Sequence, residues 1–251
     1  MVRTPDTAID ACLVRACKAL TCPREPQLMK TSDTIKKRIS TRAFLDKPVS
    51  QTQLRDILDC ARWSPSGGNL QPWRVHVVTG AARDRLVQTV KDAIAANPFA
   101  DEAALQVYPP KLAEPWRTRR FEVGEAMYEK LGIPREDKPA RLAHLLRNYD
   151  FFGAPVGLFF SLDRQFDKGQ WAHLGMFMQS IALIAEEQGL ATCMQEAWSA
   201  RAKTVSSHLG LSDHEQLYCG MALGYADPDA AVNTLRSARV PLDEFVTFLK
   251  D

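Results

Sequence analysis

The sequence lacks the long apolar run that a membrane-spanning protein needs. About 20 consecutive apolar residues span a bilayer, and the best candidate, around Phe177 to Ala185, is interrupted by Gln179 and Ser180. The start of the chain also lacks the basic-then-apolar order of a secretory signal peptide, because Asp6 and Asp10 precede any apolar run. We therefore expect a soluble, cytoplasmic protein with no membrane partner.

The sequence has no large excess of charge of either sign. Its 32 basic and 30 acidic side chains leave a formal net charge of +2. Nonspecific attraction to nucleic acid or to an anionic membrane depends on excess positive charge. The composition therefore gives no reason to expect a nucleic-acid partner, and any anion site must be local.

The six cysteines include no C-x-x-C pair, which argues against a zinc ribbon and against a thioredoxin-like redox motif. Cys12, Cys17 and Cys22 recur at five-residue intervals, but no nearby His supplies the remaining ligand of a structural zinc site. We interpret the cysteines as reduced thiols, which are most often small buried residues. No metal site is predicted.

Hydrophobic periodicity predicts a central sheet with a large helical complement, in an α+β or α/β arrangement. Ser50 and Gln53 form a capping-box pattern ahead of an apolar helical face. The run from Pro155 to Leu162 is typical of a strand covered on both faces. We expect residues 1–30 to form an N-terminal arm and residues 31–251 to form a single domain.

The most apolar predicted helix runs from Trp171 to Glu187. Its Met and aromatic residues recur at helical spacing over about four turns. Such a pattern is more often core or subunit interface than a cofactor site. We therefore interpret this helix as a core or interface element.

Arg38, Ser40 and Arg42 place two guanidinium groups four residues apart with a hydroxyl between them. Arg offers planar, bidentate donors to phosphate oxygens and keeps its charge near neutrality. A phosphate fits this arrangement. Taken alone, however, two Arg residues with a Ser equally describe a solvated face.

A second polar cluster begins about 22 residues later, in the segment from Ser64 to Trp73. Its Gly and Ser residues let the backbone approach a ligand closely. Its amides, Asn69 and Gln71, can each supply both a donor and an acceptor, which suits the alternating edge of a flavin ring. The two clusters together favour a flavin phosphate over a solvated face.

Four segments in this order resemble the signatures of the FMN-dependent nitroreductase family. They read RISTRAF, SPSGGNLQPW, ATCMQEAW and LRSARVP. The resemblance runs from about Thr34 to Phe248 and is loosest between about Asn97 and Asn148. By its length and this middle insertion, the chain resembles the nitrobenzoate and dinitroaniline reductase branch. The implied fold is an α+β sandwich with a central, mainly antiparallel sheet surrounded by helices.

The resemblance implies which residues hold the cofactor. Arg38, Ser40 and Arg42 match positions that contact the FMN phosphate and ribityl chain, and Arg239, with Arg236 as a helper, matches the C-terminal residue that closes on the phosphate. The ring is implied to lie against two further groups. These are the turn at Glu196 and Ala197, where Gly is common in the family, and the loop residues Pro65, Ser66 and Asn69, which reach the flavin bound mainly by the other subunit.

The implied activity is reduction of nitroaromatic or quinone-like acceptors by NADH or NADPH through FMN, in a ping-pong mechanism. The cofactor performs the hydride chemistry, so no catalytic side chain is implied. No G-x-G-x-x-G motif supports a separate nicotinamide site. The shared ring contacts imply a homodimer. Two alternatives remain open: a flavin-consuming or reductive dehalogenating enzyme of the same fold, and a non-catalytic FMN-binding protein.

Overall fold

A four-stranded antiparallel sheet forms the centre of the fold in this computed structural model, which describes residues 29–99, 101 and 105–250. The strands are β1 (Arg74–Thr79), β2 (Val156–Asp163), β3 (Ala191–Gln195) and β4 (Glu215–Gly224). Their spatial order is β1-β2-β4-β3, and every neighbouring pair is antiparallel. The predicted α+β fold with a mainly antiparallel sheet is confirmed.

Seven α-helices flank the sheet in the part of the chain that the structure describes. They are α1 (Thr31–Lys37), α2 (Gln51–Ala61), α3 (Gly80–Ala96), α4 (Trp116–Lys130), α5 (Lys138–Leu146), α6 (Lys168–Glu187) and α7 (Ala202–Leu209). Short 3-10 helices at Gly67–Asn69, Arg147–Gly153 and Glu196–Arg201 join several of them. Residues from Thr31 onward form one compact unit.

Strand β2 is buried on both faces, as its continuous apolar run predicts. It pairs with β1 on one side and β4 on the other, and its residues from Val156 to Leu162 are all buried. Phe159 belongs to one apolar cluster, while Leu158 and Phe160 belong to another. Because successive side chains of a strand point to opposite faces, the sheet separates two cores.

The two cores are built from different helices. On one face, α3 and α7 contribute Leu86, Val90 and Val205, and the 3-10 helices add Phe151 and Trp198. On the other face, α2 and α6 contribute a set of buried aliphatic and aromatic residues. This second set includes Leu54, Ile57, Leu174, Phe177, Met178 and Ile181.

The local signals for α2 and α6 are borne out in detail. The Ser50 hydroxyl accepts a hydrogen bond from the Gln53 amide at 3.1 Å, and the Gln53 side chain accepts one from the Ser50 amide at 3.3 Å. The capping box predicted at the start of α2 is therefore present. On α6 the apolar face is core, whereas Met176 stays 48% exposed on the opposite side.

Helices α4 and α5 contribute little to either core. Helix α4 has no buried residue, and on α5 Leu142 and Leu145 are exposed. The buried residue of α5 is His144, whose ring packs near Tyr128 and Phe152 at centroid distances of 6.1 and 5.8 Å. The residue that α5 turns inward is therefore a histidine and not one of its leucines.

The described helices include none long and apolar enough to cross a membrane. The predicted N-terminal arm, residues 1–30, lies outside the described residues except for its last two positions, and so do Cys12, Cys17 and Cys22. The cysteines that the structure describes, Cys60, Cys193 and Cys219, are free thiols.

Candidate functional site

The basic residues predicted to hold a phosphate line one cavity of about 480 Å³. It lies between the segment that follows α1 and the C-terminal segment of the chain. The predicted residues in its lining are Arg38, Ser40, Arg42, Arg236 and Arg239. With Lys36 the lining carries five basic side chains, and the described lining residues include no Asp or Glu. Such a one-sided set of charges favours an anion.

Arg38 supplies the most direct sign of a missing acceptor in this cavity. Its Nε atom is buried and has no hydrogen-bond partner among the residues that the structure describes. Leaving a buried polar group unsatisfied costs roughly 1–3 kcal/mol, and more for a charged group. An anionic oxygen in the cavity would satisfy that N–H.

Hydrogen bonds from the Asn233 side chain fix the backbone at Arg42. The Arg42 backbone amide donates to Asn233 Oδ1 at 2.9 Å, and Asn233 Nδ2 donates to the carbonyls of Ala43 and Asp227, both at 2.9 Å. The Arg42 guanidinium donates to the Ser40 carbonyl at 3.1 Å. Asn233 therefore fixes the segment that carries the predicted phosphate ligands. No motif in the sequence marks Asn233 for this role.

Arg236 and Arg239 are exposed at the rim of the cavity. The Arg236 guanidinium donates to the carbonyl of Lys37, at the end of α1, where the helix dipole favours a cation. Arg239 donates to the Ser237 hydroxyl at 2.7 Å and to the Ala238 carbonyl at 2.9 Å. The C-terminal segment thus packs against α1, and the guanidinium groups of Arg236 and Arg239 lie beside the cavity.

Strand β3 connects the cavity to the turn at Glu196 and Ala197. Ser40 forms a parallel bridge with Thr192, and the Thr41 amide donates to the Thr192 carbonyl at 3.0 Å. Four residues later the strand gives way to the 3-10 helix Glu196–Arg201, a distance of about 13 Å at the usual rise of a strand. A single edge strand therefore aligns the two predicted ends of the cofactor site.

The Ala at position 197 is compatible with this turn. The positive φ values of described non-glycine residues are confined to Asn69, Gln71, Phe151 and Phe152. Ala197 consequently has ordinary backbone dihedrals, and the Cβ that distinguishes it from Gly causes no backbone strain there.

The loop with Pro65, Ser66 and Asn69 lies far from the cavity within one chain. The Gly67 amide donates to His173 Nε2 at 3.3 Å, near the start of α6. By contrast, Lys37 beside the cavity pairs with Glu186, near the end of α6, at 2.9 Å. Glu186 follows His173 by thirteen residues, about 20 Å along an α-helix. The structure thus places five of the ten predicted residues in the cavity and Glu196 and Ala197 farther along β3, and it separates these three from the cavity.

His144 is a buried titratable group near the cavity. Burial, followed by the positive charges of Arg147 and Arg42, lowers the pKa of His144 from 6.5 to about 4. Its Nε2 atom has no hydrogen-bond partner within the described ranges of the chain. The imidazole is therefore neutral in the folded protein near pH 7.

The shifted pKa of His144 predicts a pH dependence of stability. Between about pH 6.5 and pH 4 the unfolded chain binds a proton that the folded chain does not. The free energy of unfolding should therefore fall as the pH falls through this window. Thermal melts from pH 7 to pH 4.5 should show a shallower fall for His144→Leu than for the natural protein. Equal slopes would contradict this assignment.

Comparison with known proteins identifies the fold family. The model of the family described as "Nitroreductase family" matches residues 35–225. The chain belongs to the nitroreductase family. The nitrobenzene nitroreductase of Ectopseudomonas oleovorans is 37% identical, over 87% of this chain and 96% of the relative. The 4-nitrobenzoate reductase of Pseudomonas putida is 39% identical, over 84% and 92%.

Solved structures agree with the family assignment. The FMN- and NADPH-dependent nitroreductase NfnB from Sphigopyxis sp. strain HMH is 42% identical, with a TM-score of 0.86 over 89% of this chain and 100% of that one. The FMN-dependent NfnB from Mycobacterium smegmatis, crystallised with NADPH, is 30% identical, with a TM-score of 0.83 over 87% and 97%. The family predicted from the four sequence signatures is confirmed.

Proposed function

We propose that this nitroreductase-family protein is an FMN-dependent oxidoreductase that uses NADH or NADPH to reduce nitroaromatic or quinone-like acceptors. The proposal is carried by the cavity. In the described part of the chain, the buried Arg38 Nε has no hydrogen-bond partner, and the cavity lining holds five basic side chains without an acidic one. The names of the relatives, nitrobenzene nitroreductase and FMN- and NADPH-dependent nitroreductase, supply the chemistry.

The residues of the cavity fit a flavin phosphate. Arg38, Ser40 and Arg42 would hold it from one side, and Arg236 and Arg239 from the other. The turn at Glu196 and Ala197, farther along β3, would face the ring. Charge-assisted hydrogen bonds from guanidinium groups to phosphate are roughly twice as strong as neutral ones, so the phosphate end supplies the main anchor.

When bound, FMN would supply the hydride chemistry between the nicotinamide and the acceptor. The chain itself binds and orients. Burial raises the pKa of Cys193 to about 11 and raises that of Cys219 well above its usual value, so both thiols stay protonated near neutrality. A thiolate is the reactive form of cysteine, and these two buried residues are therefore not nucleophiles.

The proposal predicts a yellow protein that holds about one FMN per chain, because each chain contributes one phosphate cavity. Anaerobic NADPH or NADH should bleach the flavin absorption, and a nitroaromatic acceptor should restore it. Initial rates should give parallel lines in double-reciprocal plots. A colourless protein that does not bind added FMN would refute the proposal.

The same experiment separates the two alternatives. A non-catalytic FMN-binding protein would hold flavin without rapid bleaching by nicotinamide. A flavin-consuming or dehalogenating enzyme would bleach normally, but it would destroy its flavin under oxygen or release halide from a halogenated ring. Product analysis under oxygen, with and without a nitroaromatic acceptor, distinguishes these outcomes from nitro reduction.

We further propose a homodimer with shared sites, formed by the FMN-binding domain of residues 31–251, with residues 1–30 as an extension. The support is geometric. Ser66 and Asn69 lie toward one end of α6 and Arg38 toward the other. Residues separated by about 20 Å along a helix meet in one site only if the loop comes from a partner chain.

The shared site predicts complementation between two defective chains. Arg38→Ala and Asn69→Ala homodimers should each lose most FMN-dependent activity. A heterodimer of the two should regain about half of the natural activity, because one of its two sites then combines an intact Arg38 with the partner subunit's Asn69. Mixed dimers as inactive as both parents would show that Arg38 and Asn69 do not work in trans.

A further inference from the structure

Two buried hydroxyl groups hold the backbone on either side of Ala197. The Ser199 Oγ donates a hydrogen bond to the Glu196 carbonyl at 2.8 Å, and the Tyr149 hydroxyl donates to the Ala197 carbonyl at 3.1 Å. Ser199 is 4% exposed and Tyr149 is 9% exposed. Water therefore competes little for either hydrogen bond.

These bonds fix the direction of one amide. A peptide unit is planar and trans, so the carbonyl of Glu196 and the N–H of Ala197 point in opposite directions on one rigid plane. Holding the Glu196 carbonyl therefore fixes where the Ala197 N–H points. Holding the next carbonyl as well restrains both backbone dihedrals of Ala197. The amides in the first turn of a helix have no partner within that helix, so this N–H is available to a ligand.

The Tyr149 hydroxyl is itself positioned by a buried ionic network. Arg201, only 3% exposed, contacts Tyr149 and donates to Asp101 at 3.3 Å and to the Asn97 carbonyl at 3.0 Å. Asp101 also accepts from the Thr204 hydroxyl at 2.7 Å. Burial raises the pKa of Tyr149, so its hydroxyl keeps the proton that it donates.

The backbone next to Tyr149 is attached to β3 by a second contact. The Gln195 side chain donates to the Asn148 carbonyl at 2.9 Å. The Tyr149 ring packs edge-on against Trp198, with ring centroids 5.2 Å apart. The tyrosine is therefore fixed by packing on one side and by hydrogen bonds on the other, as a supporting residue of a precise site must be.

We propose that Ser199 and Tyr149 are positioning residues that aim the Ala197 amide at the flavin ring, and that Arg201 with Asp101 holds the Tyr149 hydroxyl in place. This inference rests on the proposed FMN function. It gives Asp101, near the start of the segment 97–148, a role in setting the midpoint potential of the bound flavin.

The expected effect is on the midpoint potential of bound FMN. One nitrogen of the flavin ring gains a hydrogen when the flavin is reduced. This nitrogen can therefore accept a hydrogen bond only in the oxidised flavin. A fixed N–H donor therefore favours the oxidised form, and loosening the turn should raise the potential. A tenfold change in this equilibrium corresponds to about 30 mV for a two-electron couple.

The test measures the midpoint potential and the thermal stability of holoprotein carrying Ser199→Ala or Tyr149→Phe. Both variants should raise the potential, whereas Ser199→Thr, which keeps the hydroxyl, should restore the natural value. Thr89→Val is a matched control, because Thr89 also bonds a backbone carbonyl, that of Arg85 at 2.9 Å, but this bond is exposed to solvent on α3. It should leave the potential unchanged.

The outcomes separate this inference from the function on which it rests. Natural protein without bound FMN would overturn the proposed function. Natural holoprotein together with Ser199→Ala and Tyr149→Phe variants of unchanged potential would overturn the positioning role alone, whether or not those variants melt at lower temperature. If one variant does not fold, the other still decides the question.

Discussion

Replacing Arg38 with Ala should weaken FMN binding by roughly 1.5–3 kcal/mol, which is a tenfold to more than a hundredfold increase in Kd. The Arg38 Nε atom is buried in the cavity wall, and no described residue accepts a hydrogen bond from it. Its charge-assisted bond to a phosphate would form in a partly desolvated place, where such bonds are strong. Equilibrium dialysis or flavin fluorescence of the flavin-free protein measures the change directly.

Riboflavin provides the matched ligand for this experiment, because it has the ring of FMN without the phosphate. The Arg38→Ala substitution should leave riboflavin affinity nearly unchanged. Arg38→Lys should recover only part of the FMN affinity, since an ammonium is a point charge without the planar fork of a guanidinium. Arg85→Ala, on the exposed surface of α3, controls for the loss of a positive charge. Equal weakening of FMN and riboflavin would remove Arg38 from the phosphate site.

Much of this site was predictable because its chemistry is local in sequence. Arg38, Ser40 and Arg42 lie within five residues, and the structure places all three in one cavity. The order of the later segments predicted Arg236 and Arg239 as further phosphate ligands, and the structure places both in the same cavity. Their approach depends on tertiary folding of the C-terminal segment against α1, which no local pattern encodes. Here the family resemblance supplied what periodicity could not.

The supporting residues could not have been predicted, because they act across long sequence separations. Tyr149 precedes Ala197 by 48 positions, and Asn233 follows Arg42 by 191. A lone Tyr or Asn carries no spacing signal, and a buried Tyr is most often simply core. Phe152 and Trp198 likewise carry no spacing signal, and both are buried in the core.

The buried face of α5 could not have been predicted for a related reason. Amphipathic spacing reports that a helix has an apolar face, but not which surface covers it. Leu142 and Leu145 are exposed in the single chain, and the buried position falls to His144. A face that a partner chain covers and a face that the same chain covers have the same sequence pattern.

Gly220→Ala should be strongly destabilising, by roughly 1–3 kcal/mol or more of unfolding free energy, as is usual for overpacking a tight core. Gly220 lies on β4 opposite Gln195 of β3. A Cβ at this position would lie 2.4 Å from Cδ1 and 2.8 Å from Nε1 of Trp198. Real contacts do not approach so closely, so the indole or the strand must move.

Neighbouring rings prevent the Trp198 indole from shifting away from the added Cβ. Trp198 is fully buried, and its ring packs against Phe151, Phe159 and Tyr149 at centroid distances of 4.7, 5.0 and 5.2 Å. Trp198 also directly follows Ala197, so displacing it should disturb the turn proposed to face the flavin. We therefore expect Gly220→Ala to lower FMN affinity as well as the midpoint of urea unfolding.

Gly124→Ala is the matched control for this substitution. A Cβ at Gly124, inside α4, meets nothing within 4 Å. Replacing a glycine inside a helix by alanine should stabilise the protein by roughly 0.5–1 kcal/mol. If the clash with Trp198 is the cause, Gly220→Ala should cost far less in a Trp198→Ala background, because a double-mutant cycle isolates the contact between the two residues. An equal loss of unfolding free energy in both backgrounds would mean that the strain arises elsewhere in β4. The stability of the sheet would then be independent of the geometry of the turn.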